Sequence, residues 1–70
     1  MKFSNITVTP VQGSYIASTT VNGHRLSAQY NGNSMAMHNF GWIHIEPKLL
    51  ENYSREELKQ ELISRLPDQT

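Results

Sequence analysis

The sequence predicts an α+β fold of two layers, an antiparallel β-meander of four strands packed by one C-terminal α-helix. Two Asn-Gly dipeptides, Asn22-Gly23 and Asn31-Gly32, are each flanked by alternating apolar and polar residues, which is the pattern of tight β-hairpins. A helix-start signal follows at Ser54. We expect one domain over residues 1–70, with strands within 2–45, a connector at 46–53, a helix at 54–66 and a frayed tail at 67–70.

The first strand is predicted between Phe3 and Thr9. Ile6 and Val8 are separated by one residue, so both side chains point to the same face of a strand, which we expect to be the core face. Pro10 is expected to end the strand, because proline has no amide hydrogen to donate to a neighbouring strand.

The Asn22-Gly23 dipeptide predicts a two-residue hairpin loop, since both central positions of a type I′ turn require positive φ. Such a loop determines the register of the two strands, and the side chains of directly opposed residues share one face. The face predicted to be buried consists of four opposed pairs: Val21 with His24, Thr19 with Leu26, Ala17 with Ala28, and Tyr15 with Tyr30.

Asn31-Gly32 predicts a second two-residue loop. This register would place Met35 opposite Ala28 and Met37 opposite Leu26, on the same buried face. The alternation breaks after Met37. A bulge or turn at Gly41 would return Ile43 and Ile45 to the core face. If residues 42–45 instead form a separate strand, the sheet has five strands.

The C-terminal helix is predicted by a capping box, Ser54-Arg55-Glu56-Glu57, in which the serine hydroxyl accepts a hydrogen bond from the amide three residues later. Leu58, Leu62 and Leu66 recur at intervals of four and form an apolar stripe, broadened by Ile63. Pro67 ends the helix. In the connector, Leu49 and Leu50 are expected to close one end of the core.

The charges are balanced overall but unevenly distributed. The first 45 residues contain Lys2 and Arg25 and no acidic residue, whereas the last 25 contain six acidic residues and four basic ones. Nucleic-acid-binding domains usually carry clustered basic residues, and this chain has few. With no cysteine and no apolar leader, the sequence favours a cytoplasmic location without membrane association.

No residue pattern in the sequence is typical of an enzyme. The three histidines, His24, His38 and His44, have no metal-ligand spacing, and the glycines are scattered rather than gathered in a phosphate-binding loop. The acidic residues all lie within 46–68, where salt-bridged helix residues explain them better than a catalytic pair does. We therefore expect no enzymatic activity, no metal and no cofactor.

By elimination, the sequence favours a protein-binding module, an accessory or inhibitor protein of the kind that phages and mobile elements encode. The face opposite the core would be polar but almost uncharged, which suits an interface. An edge strand and the acidic C-terminal helix are the other surfaces through which such a module would act. A homodimer and a nucleic-acid-binding domain that uses the weakly basic sheet half are the alternatives. The predicted outer face comprises Ser14, Ile16, Ser18, Thr20, Arg25, Ser27, Gln29, Ser34, Ala36 and His38. The residues predicted to contact a partner are Trp42, His38, Phe40, Arg25, Ile16 and Gln29.

Overall fold

The computed structural model describes residues 1–31 and 38–66 of the chain, without the side chains of His38 and Asn39. Within these residues, four strands form one antiparallel sheet in the order β1-β2-β3-β4, and two helices follow. The predicted α+β meander is therefore confirmed. The elements are β1 (Thr7–Val11), β2 (Ser14–Val21), β3 (His24–Asn31), β4 (His38–Ile45), α1 (Pro47–Leu50) and α2 (Arg55–Arg65).

The β2–β3 hairpin has the predicted loop and register. Asn22 and Gly23 have φ angles of 52° and 84°, the two positive values that a type I′ turn requires. Tyr15 lies opposite Tyr30, and Val21 lies opposite His24. The predicted inner face is correspondingly buried in both strands, with Ala17, Val21, Leu26, Ala28 and Tyr30 all at most 1% exposed.

Strand β1 differs from the prediction because Pro10 lies within it, opposite Tyr15. The residues that flank a two-residue hairpin loop, Val11 and Ser14, exchange backbone hydrogen bonds, and such pairs alternate with non-bonded pairs. Pro10 therefore falls in a non-bonded pair, where a backbone nitrogen faces the open edge and no hydrogen bond is lost. Ile6 and Val8 pack against the core as predicted. Phe3, predicted to begin the strand, instead forms an isolated bridge with Val21.

The predicted register between β3 and the next strand is wrong. Leu26 lies opposite Ile45 and Ala28 lies opposite Trp42, so β3 pairs with residues 38–45 rather than with 33–37. Met35 and Met37 lie outside the described residues. The sheet continues through Gly41 into residues 42–45 as one strand, which resolves the choice between four and five strands in favour of four.

The predicted irregularity in β4 is present at two places, at Ile43 and between His38 and Gly41. Ser27 and Ala28 are consecutive in β3, whereas their partners His44 and Trp42 are separated by Ile43. This extra residue is a β-bulge. Because of it, Ile45 packs against the core while Ile43 is 52% exposed, so the predicted return of Ile43 to the core is wrong.

Helix α2 begins and ends as predicted. Ser54 is its N-cap and accepts a hydrogen bond from the Glu57 amide at 3.0 Å. Leu58 and Leu62 are fully buried and Leu66 is 8% exposed, so the leucine stripe packs on the inner face of the sheet. The predicted connector contains a four-residue helix, α1, and Leu49 and Leu50 pack against the core from it, as expected.

Candidate functional site

One face of the sheet is covered by the leucines of α1 and α2, and the opposite face is left without a covering layer in the described part of the chain. Successive side chains of a strand point to opposite faces, so the register identifies the residues of the uncovered face. We call it the outer face: Thr7, Thr9, Val11, Ser14, Ile16, Ser18, Thr20, Arg25, Ser27, Gln29, Asn31, Gly41, Ile43 and His44.

Ile16, Arg25 and Gln29 lie on the outer face, as the sequence predicted. Ile16 lies opposite Gln29 on the neighbouring strand, and Gln29 lies opposite Gly41 on the next one. Arg25 and Gln29 are exposed, and Ile16 is half-buried. Arg25 carries the one permanent charge among these outer-face residues. Three of the six predicted contact residues therefore share one continuous surface.

Phe40 and Trp42 lie on the other side of the sheet. Their rings meet edge to face, with centroids 5.1 Å apart and planes at 90°, and both pack against the buried cluster. The Lys59 ammonium lies 5.3 Å from the centre of the Phe40 ring, an arrangement in which a cation is attracted to the ring face. The predicted contact residues thus divide between the two faces of the sheet.

His38 belongs to β4 and lies opposite Asn31, but its side chain is outside the described residues. Ser34 and Ala36, which the sequence also assigned to the outer face, lie entirely outside the described residues. The β3–β4 half of the outer face is therefore defined by Gln29, Gly41 and their neighbours alone.

Sequence reasoning missed a notch in the outer face. The outer face is recessed beside Gly41, and a Cβ atom at this position would meet nothing within 4 Å. The recess is an open depression of about 270 Å³. It is lined by Ser14, Gln29, Asn31, Gly41, Trp42 and Ile43. The notch depends on the bulge at Ile43 and on the β3–β4 register, neither of which the sequence predicted correctly.

A second depression, of about 360 Å³, lies beside Arg25 at the other end of the outer face. Most of its lining side chains carry hydroxyl groups: Thr7, Ser18, Thr19, Thr20 and Ser27, together with Asn5 and Arg25. Hydroxyl groups both donate and accept hydrogen bonds. This end of the face can therefore form hydrogen bonds with both donors and acceptors of a ligand, and the positive charge of Arg25 adds a preference for anions.

Glu46, the acidic residue whose carboxylate interacts with the backbone of Arg25, is already hydrogen-bonded to His24. Glu46 follows β4, and its carboxylate Oε2 lies 2.9 Å from His24 Nδ1. A hydrogen bond with the Arg25 backbone, and then the one with His24, lower the pKa of Glu46 below its usual 4.5. The other acidic residues described lie on α2 and in the turn between α1 and α2. Glu61 binds Arg65 at 2.7 Å, and Glu51 lies 3.6 Å from Lys48. Arg25 has no ion-pair partner in the described part of the chain.

Both edges of the sheet carry features that oppose pairing with another strand. Pro10 removes a hydrogen-bond donor from the open edge of β1. The register between β3 and β4 shifts twice, once at Ile43 and once between Gly41 and His38. Bulges and prolines are the means by which natural sheets prevent edge-to-edge association. The outer face is therefore a better candidate for contact with a partner than either edge.

Among the residues that the structure describes, no three His, Cys, Asp or Glu side chains are close enough together to hold a metal ion. In the same residues, neither helix is long and apolar enough to cross a membrane.

No protein-family model matches the chain, and no curated protein or solved structure is significantly similar to it. Any inference about function therefore depends on the geometry of the outer face alone.

Proposed function

We propose that the chain is a non-enzymatic protein-binding module that covers the surface of a partner protein with its outer face. The observation that carries this proposal is an uncovered four-stranded face that bears a single permanent charge among its described residues. Interface cores are depleted of charged residues, and short Ser and Thr side chains lose little conformational entropy when they are covered. Ile43, 52% exposed, adds apolar surface that water solvates poorly.

The size of the face limits the strength of the complex. Three strands of eight residues are each about 26 Å long and β1, with five residues, is about 17 Å long. Each strand is about 4.8 Å wide, so the face covers roughly 450 Å². A standard interface buries about 800 Å² on each partner. A contact through this face alone would therefore be weak or transient. A tight complex needs a partner that also reaches around an edge.

The rest of the proposal depends on composition. A small, cysteine-free domain without a recognisable catalytic arrangement suits an accessory or inhibitor protein of the cytoplasm, of the kind that phages and mobile elements encode. Light scattering on the purified chain determines whether the partner is a second copy, since a homodimer has twice the monomer mass of 8.0 kDa.

Position-dependent photocrosslinking tests the proposal. A photoreactive amino acid replaces Ser18 on the outer face, and in a matched variant it replaces Gln60, an exposed residue of α2. We expect one defined protein of the source organism to crosslink to position 18 and not to position 60. A third variant adds Ile16→Asp to the position-18 probe, and we expect the adduct to disappear. Equal crosslinking at both positions, or none at position 18, would contradict the proposal.

Nucleic-acid binding is the alternative, and the structure offers it one supporting feature. Lys2 contacts Asn22 at the β2–β3 turn, so both basic residues of the sheet half, Lys2 and Arg25, lie at the same end of the sheet. The aromatic residues that would stack on bases are placed less favourably, since Tyr30 is 1% exposed and Trp42 packs on the helix-covered side. Fluorescence anisotropy with an oligothymidine probe distinguishes nucleic-acid binding from protein binding. Binding that falls steeply with added salt, through counterion release, would favour nucleic acid.

A further inference from the structure

The notch at Gly41 has the dimensions and lining of a receptor for one side chain. Its volume of about 270 Å³ is below the 300–1,000 Å³ of pockets that hold small-molecule ligands. It is open to solvent on the side that a partner would approach, because Gly41 is exposed and nothing occupies the place of its absent side chain. A side chain that projects from a partner would enter the notch without any movement of the backbone.

The lining is chemically mixed. Ile43 contributes an exposed apolar side chain, while Gln29 and Asn31 contribute amide groups that both donate and accept hydrogen bonds, and Ser14 contributes a hydroxyl. An occupant with an apolar body and a polar tip satisfies both parts of this lining. Tyrosine has that character, keeps few rotatable bonds, and is enriched among residues that dominate binding energy.

The surroundings of the notch indicate the charge of the partner. Arg25 lies four residues before Gln29 on the same strand, which places it about 13 Å from the notch on the same face. No described acidic residue neutralises it, and the first 45 residues of the chain contain no Asp or Glu. An acidic group on the partner, about 13 Å from the inserted side chain, would complement this charge.

We propose that the Gly41 notch receives a tyrosine side chain that projects from an acidic surface of the partner protein. The inference depends on the proposed function, because it names the chemistry of the partner that the outer face binds. It also assigns Gly41 a role in binding. A glycine costs stability in the interior of a strand, and this one is not needed for a positive φ angle.

Nuclear magnetic resonance titration of the ¹⁵N-labelled chain with N-acetyl-tyrosinamide tests the notch directly. We expect saturable shifts of the Gln29, Gly41 and Ile43 amides, with a dissociation constant on the order of 10 mM for so small a ligand. Fluorescence of Trp42, the one tryptophan of the chain, gives a second readout next to the notch. N-acetyl-serinamide, which lacks the ring, should produce no saturable change.

Two valine variants complete the experiment. Gly41→Val places a branched side chain in the notch, and the open space around its Cβ together with the β-preference of valine should keep the fold intact. Ser18→Val makes the same kind of change on the outer face outside the notch. We expect Gly41→Val to weaken the binding of N-acetyl-tyrosinamide at least about ten-fold, the loss of roughly one buried aromatic contact. Ser18→Val should leave binding unchanged.

The outcomes separate this inference from the proposed function. If N-acetyl-tyrosinamide produces no saturable shift, or binds Gly41→Val as well as the unaltered chain, the notch is not a tyrosine receptor. In that case crosslinking at position 18 can still occur and the protein-binding proposal stands. If crosslinking at position 18 fails while the notch binds the probe, the proposed function fails and the notch is a site for free aromatic ligands.

Discussion

Replacement of Ser54 by alanine should destabilise the protein through one identifiable hydrogen bond. Ser54 has extended backbone angles, φ −80° and ψ 160°, and its hydroxyl accepts a hydrogen bond from the Glu57 amide at 3.0 Å. This is one of the first amides of α2, which have no partner within the helix. Both residues are exposed, so water replaces the lost acceptor and the cost is that of an ordinary N-cap, about 1 kcal/mol.

The length of the chain determines how far this loss of free energy lowers the melting temperature, because the entropy of unfolding scales with length. The entropy of unfolding is about 2.1 cal/mol/K per residue, which gives about 150 cal/mol/K for the 70 residues of the chain. A loss of about 1 kcal/mol therefore lowers the melting temperature by about 7 °C. Thermal unfolding followed by circular dichroism resolves a shift of this size easily.

Two further variants make the measurement specific to the cap. Ser64→Ala is the same chemical change on an exposed serine in the last turn of α2, where the hydroxyl donates to the Glu61 carbonyl, and alanine has the higher helix propensity. We expect its melting temperature to stay the same or to rise slightly. Ser54→Asp retains a capping oxygen and should restore most of the stability. An unchanged melting temperature in Ser54→Ala would refute the assignment of Ser54 as the N-cap.

Three further predictions concern the core and one ion pair. Tyr30→Phe should raise the free energy of unfolding by about 1 kcal/mol in urea denaturation, because the buried hydroxyl has no hydrogen-bond partner among the described residues; a clear loss would contradict this. Leu62→Ala, at a fully buried position, should lower it by about 3 kcal/mol, and a loss below about 1 kcal/mol would mean that α2 packs elsewhere. The pKa of Glu46 is lowered in the folded protein, so ionised Glu46 adds to the free energy of unfolding above pH 4.5. This stabilisation is lost as the pH falls through the lowered pKa. Glu46→Gln should flatten this acid dependence, whereas Glu51→Gln, on the exposed pair with Lys48, should not.

The elements that depend only on residues adjacent in the sequence could be predicted from the sequence. The type I′ loop at Asn22-Gly23 and the cap at Ser54 each depend on a few adjacent residues whose backbone preferences are local. The two-residue loop then determined the whole β2–β3 register, since side chains alternate strictly along a strand. These features needed no knowledge of the rest of the fold.

The β3–β4 pairing was not predictable in the same way. Asn31-Gly32 is a local turn signal, and it does not determine which later segment lies beside β3. Phe40, Trp42 and Ile45 supply more apolar surface to the inner face than two methionines would, and burial of that surface favours pairing through residues 38–45. Phe40 and Trp42 share a face by alternation, and one register shift, at Ile43, brings Ile45 to the same face. No local pattern predicts the position of that shift.

The same division applies to the candidate site. The sequence by itself determined that Ile16, Arg25 and Gln29 share an exposed face, because they lie in the hairpin whose register the loop sets. Only the tertiary structure decided that Phe40 and Trp42 face the helix and that Gly41 and Ile43 shape a notch beside Gln29. The physical reason is that a bulge exchanges the two faces of a strand, and its position depends on long-range burial.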